Sequence, residues 1–139
     1  MTVNYKIIRK RIRTLWPKCR NVWLRDSEYE YPKIEEIEYV ITNDYTDKMV
    51  SRGARFDCDD FALQLAAAVS SYRATNVEGD EPRPWPFGQA MVRKHRGRVE
   101  KHNLNICLLE DRIVLIEPQD DKIWTGSPTE DSPFFVIMP

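Results

Sequence analysis

The sequence predicts an α+β fold in which N-terminal helices pack against an antiparallel sheet. Three observations carry this expectation. An alanine-rich stretch with helical apolar spacing lies near the middle of the chain. Apolar runs of β type follow it at 89–93, 102–109, 112–118 and 133–138. The chain has 139 residues and is 42% hydrophobic, which suits a single compact core and argues against disorder.

Residues 1–21 read as a basic N-terminal arm or packing segment, and 22–139 as the main domain. The first 25 residues hold Lys6, Arg9, Lys10, Arg11, Arg13, Lys18, Arg20 and Arg25 and no acid, whereas 26–60 is dominated by Asp and Glu. The two regions attract each other across the folded chain. Over the whole sequence 21 basic and 22 acidic residues nearly cancel, which excludes a globally basic nucleic-acid binder. The basic arm alone, without a recognised binding motif, gives no strong nucleic-acid signal.

The first predicted helix follows Pro32, with Ile34, Ile37, Ile41, Tyr45 and Met49 along one stripe; Asn43 and Asp44 weaken its second half. The second covers 57–72, where Phe61, Leu65, Ala68 and Tyr72 share a face. Its start is well marked. Asp57 is a capping residue, Asp60 holds the third helical position, and Phe56 and Phe61 stand where a hydrophobic staple would form. The connection NVEGDEPRPWPFG opposes regular structure and reads as an exposed link or the wall of a cleft, with Trp85 exposed and able to line a groove. RKHRGR reads as a charged turn. A two-residue turn at Glu110 and Asp111 then joins two strands and pairs Leu109 with Arg112.

That register places His102 opposite Gln119 and diagonal to Glu117, on one sheet face. Glu117 would orient the imidazole, and Cys58, first in its helix, would stand where unpaired amides favour thiolate. Asp57, Asp59 and Asp60 crowd the sulfur with opposing charge. Each residue also has a plainer role. Cys58 lies on the buried stripe of its helix, His102 suits a strand end, and Glu117 is a natural partner for Arg112 or Lys122. His95 competes for the role of base, but its charged turn favours solvent exposure. Cys19 and Cys107 read as packed thiols.

Three cysteines at these spacings form no compact thiolate metal motif. No secretory signal or membrane-length apolar run is evident, so reduced cysteines in the cytoplasm of a host or producing cell are expected. Glycines form no phosphate loop, and no HExxH sequence occurs. Oligomeric state has no sequence signature here.

The order DCDDFA, HNLN and IEPQ resembles the papain-like and transglutaminase-like cysteine peptidase superfamily, and most nearly the catalytic domain attached to the fairy-ring mushroom lectin and its phage-encoded relatives. The resemblance implies a papain-like fold, with Cys58 as nucleophile, His102 as general base and Glu117 as orienting acid. It also implies calcium, for which Asp59 and Asp60 are the ligand candidates. The activity implied is calcium-assisted hydrolysis of a peptide or protein substrate through a thioester, with Trp85 and Gln119 as substrate contacts. Ser51, Arg52 or Gln119 would complete the oxyanion site. Acyl transfer is an alternative, although HNLN lacks the HAW sequence common in transglutaminase-like enzymes. A second alternative is a noncatalytic, phage-type interaction or structural protein that retains the papain-like fold.

Overall fold

The computed structural model describes residues 2–43, 57–76 and 82–139. The elements are β1 (Thr2–Asn4), α1 (Tyr5–Leu15), β2 (Asn21–Leu24), β3 (Glu28–Glu30), α2 (Ile34–Asn43), α3 (Cys58–Thr75), β4 (Phe87–His95), β5 (Arg98–Leu108), β6 (Ile113–Glu117), β7 (Lys122–Thr125) and β8 (Pro133–Met138). A six-stranded sheet in the order β2-β8-β4-β5-β6-β7 forms the middle layer. Its pairs are antiparallel except β2 with β8, so the sheet is mixed. β1 and β3 form a separate antiparallel pair.

The predicted architecture is the observed one, with additions the sequence reading did not anticipate. Residues 2–15 form β1 and α1. Asn4 caps α1 by accepting the Lys6 amide at 2.8 Å, and Ile8 and Ile12, one turn apart, are fully buried. Each such isoleucine contributes roughly 1.5–3 kcal/mol through burial. β2, β3 and β7 are short strands that gain their stability from partners rather than from local pattern. In α2 the Glu36 carboxylate reaches back to the Lys33 amide at 2.9 Å. The expected helical positions Tyr45 and Met49, and Phe56 of the expected staple, lie outside the described residues.

Alternation along β5 divides the core. Leu104, Ile106 and Leu108 join Ile8 and Ile12 in a cluster beneath α1. Cys107 and Leu109 join Ile37, Ile41, Leu65 and Val69 in a cluster beneath α2 and α3. Helices therefore cover both faces of the sheet. The parity of a residue in β5 therefore decides which cluster it joins. Asn105, buried on the α3 side, donates to the Ala62 carbonyl at 2.8 Å and to the Gly88 carbonyl at 3.0 Å, pinning helix to sheet.

The charged turn is shorter than RKHRGR. Only Arg96 and Gly97, with φ of 49° and 78°, leave the strands, and both take the left-handed conformation that a two-residue hairpin of this twist requires. Asp131 Oδ1 holds the Arg96 amide at 3.0 Å. Among the described residues no helix is long and apolar enough to cross a membrane.

Candidate functional site

The turn at Glu110 and Asp111 has the expected length, since the Leu109 amide donates to the Arg112 carbonyl at 2.8 Å and Leu108 pairs with Ile113. In that register Asn105 faces Ile116, and the strand ends bring His102 and Glu117 together. His102 Nε2 lies 2.8 and 2.9 Å from the two Glu117 oxygens, and both side chains are largely shielded from solvent. The carboxylate therefore holds one ring nitrogen and fixes the plane of the imidazole.

Cys58 is the first residue of α3, and Asp57 precedes it as the cap. The Asp57 amide donates to Asp60 Oδ2 at 2.9 Å, which supports the predicted helix start. A cleft of about 130 Å³ is lined by Cys58, Met91, Val92, Lys101, His102, Asn103 and Phe134. It lies where the β4–β5 and β4–β8 pairings both shift register next to Val92, so residues from both sheet faces reach it.

Cys58 and His102 line this one cleft. No hydrogen bond joins the Cys58 sulfur to His102 among the described residues. His102 is instead engaged by Glu117 and stacks on His95, with ring centroids 4.9 Å apart.

His95 is not solvated. It belongs to the end of β4 and is 4% exposed, with Glu100 3.6 Å away as its nearest acid. Burial, and then the neighbouring His102, push its imidazole below the usual histidine range; Glu100 and Glu117 oppose that shift and Arg96 adds to it. The neutral ring is the folded form at pH 7. As pH falls through the ordinary value of about 6.5, the unfolded chain takes up a proton that the folded chain refuses, so stability is lost toward acid. His95→Phe should flatten this part of the profile, visible as urea midpoints that change less than wild type between neutral and mildly acidic pH. Parallel profiles would contradict that origin.

Trp85 is also corrected. It is 3% exposed, lies 5.9 Å from the Tyr72 ring and sits under the Arg73 guanidinium at 5.4 Å. The Pro84 carbonyl accepts the Glu30 amide at 3.0 Å, so the proline-rich segment is drawn onto β3 and turns the indole inward. Trp85 lines a separate cavity of about 120 Å³ with Val69 and Phe87, away from Cys58. Gln119 is exposed in the turn after β6. Ser51 and Arg52 lie outside the described residues.

The packed thiols have the expected setting. Burial raises Cys19 to about 11 and pushes the Cys107 thiol up as well. Asp57, Asp59 and Asp60 present carboxylate oxygens within 4.8 Å of one another. Their donor chemistry fits a hard cation such as calcium, although Asp60 already accepts the Asp57 amide. Sequence reasoning missed Met91, Lys101, Asn103 and Phe134 as cleft residues. Alternation alone sends Lys101 and Asn103 to the face opposite His102, and Phe134 gave no local signal.

These features define an α+β protein of papain-like fold with a small cleft at a bulged sheet end. No family model and no curated protein matches the chain. Among solved structures it is similar to one titled as a PSL1a–E64 complex, at 16% identity and a TM-score of 0.79, covering 98% of this chain and 50% of that one. It is also similar to the Polyporus squamosus lectin bound to the human-type influenza-binding epitope Neu5Acα2-6Galβ1-4GlcNAc, at 17% identity and a TM-score of 0.78, covering 98% and 49%. The chain spans about half the length of these proteins. The papain-like fold is thus shared with a fungal lectin, which replaces the peptidase and its peptide substrate as the point of comparison.

Proposed function

We propose that the chain is a noncatalytic, lectin-like binding domain that retains a papain-like fold and takes a carbohydrate ligand. The observation that carries this reading is the glycan-bound lectin of the same fold. The cleft offers supporting chemistry. Glu117 occupies His102 Nε2, leaving Nδ1 for a sugar hydroxyl, while Asn103 and Lys101 add an amide and an ammonium. The Phe134 ring supplies an apolar wall of the kind that packs against the C–H face of a sugar.

Calorimetric titration with Galβ1-4GlcNAc and its sialylated form tests the reading. Saturable binding is expected, weakened about tenfold or more by Asn103→Ala, which removes both donors and the acceptor of its amide. No binding of either glycan, or cleavage of a peptide in their place, would overturn it.

The same reading takes Asp59 and Asp60, with Asp57, as calcium ligands at the start of α3. Bound calcium would relieve the repulsion among three carboxylates and hold the Cys58 end of the helix in place. Adding calcium should raise the melting temperature by a few degrees, and chelator should reverse it. The double variant Asp59→Asn, Asp60→Asn should not respond. An identical melting temperature with calcium and with chelator would remove the metal from the proposal.

A further inference from the structure

A larger cavity of about 600 Å³ shares Phe134 with the Cys58 cleft and is bounded as well by Trp16, Lys18, Arg93, Asp131 and Ser132. Its size suits a one-ring organic molecule. The Arg93 guanidinium lies 4.4 Å from the centroid of the Phe134 ring, so a cation and an aromatic face are presented together. Trp16 is 4% exposed and its indole N–H donates to the Ser127 carbonyl at 2.9 Å, which fixes the second ring.

The charge of the cavity is unbalanced. Neither Arg93 nor Lys18 has an ion pair or a side-chain hydrogen bond among the described residues. The acid in the lining, Asp131, is 1% exposed and already accepts N–H groups from Arg96 at 3.0 Å, Trp124 at 3.2 Å and Ser127 at 2.8 Å. Its charge is held by those donors and turned into the protein, leaving two cations on the open walls. Pro17, Pro128 and Pro133 also bound the cavity and restrict its backbone, so less order must be gained on binding.

We propose that this cavity binds a small organic carboxylate carrying a ring, with the carboxylate on Arg93 and Lys18 and the ring against Phe134 and Trp16. The cavity shares Phe134 with the Cys58 cleft, but its two cations, Arg93 and Lys18, are absent from that cleft, so loss of binding in their variants is read separately from the carbohydrate reading. An aromatic acid and an acidic sugar share the required chemistry. NMR titration of the ¹⁵N-labelled chain separates the two sources, using phenylacetate, N-acetylneuraminate and the neutral analogue phenylacetamide as probes.

At least one of the acids is expected to shift resonances around Arg93 and Phe134 saturably at millimolar concentration, and the tighter one identifies the source. Arg93→Gln with Lys18→Gln should weaken it about tenfold or more, and added salt should weaken it in wild type. Both side chains are exposed, so an unchanged melting temperature will show that the double variant is folded. The proposal is overturned if neither acid binds, if phenylacetamide binds as well as phenylacetate, or if the folded double variant keeps wild-type affinity.

Discussion

Gly88→Ala is expected to leave no cooperatively folded protein under conditions where the wild type is stable. Gly88 lies in β4, between β5 and β8, and an added Cβ would stand 2.0 Å from the Ile137 carbonyl oxygen and 2.8 Å from Met138 Cγ. The nearer atom belongs to backbone, so no side-chain rotation relieves the contact. Moving β8 away would break the neighbouring pairs Gln89 with Ile137 and Ala90 with Val136. The expected loss exceeds about 4 kcal/mol, a large part of the roughly 5–15 kcal/mol by which domains are stable. Urea unfolding followed by circular dichroism measures it. Gly97→Ala is the contrasting case: its Cβ meets nothing within 4 Å, and the cost of its φ of 78° is about 1 kcal/mol. A Gly88→Ala midpoint close to that of wild type would show that β8 is not held against β4 as described.

Asn105→Ala should produce the second large effect. It removes the bond that ties Ala62 of α3 to the sheet and the bond to Gly88 of β4, and leaves both carbonyls without this donor in a buried site. Each lost partner costs about 1–3 kcal/mol, so the total expected is about 2–5 kcal/mol. Asn105→Asp does not rescue it, because a carboxylate accepts where two donors are needed and would be buried with charge. Hydrogen exchange should show faster opening of the first turns of α3, which carry Cys58 and the acidic cluster, before global unfolding. Equal protection in the variant and the wild type would contradict this role of Asn105.

Much of the layout was legible because local signals agreed. Asp57 and Asp60 mark the start of α3, and Glu110 and Asp111 set the β5–β6 register that brings Glu117 to His102. α1 was readable in principle from Asn4, Ile8 and Ile12, but its basic residues masked a narrow apolar stripe. Trp85 and His95 were misplaced for another reason. Proline content and flanking charge describe a segment's own preference, whereas the burial of these rings is set by Glu30, Arg73 and His102, which are distant in sequence.

The position of Cys58 relative to His102 shows the same limit more sharply. Sequence order placed thiol, imidazole and carboxylate in the succession expected of a cysteine enzyme, and pairing parity brought two of them together. The third, Cys58, lines the same cleft as His102 without a hydrogen bond to it among the described residues, a spacing that no local signal in α3 or β5 sets.

The most direct test of a noncatalytic binding role is to incubate the chain with denatured protein substrates, in calcium and in chelator, and to read new N-termini by mass spectrometry beside glycan titration of wild type and Cys58→Ala. The expected result is no new termini from either protein under either condition, with saturable glycan binding by wild type. New termini that appear with wild type and vanish with Cys58→Ala would contradict it.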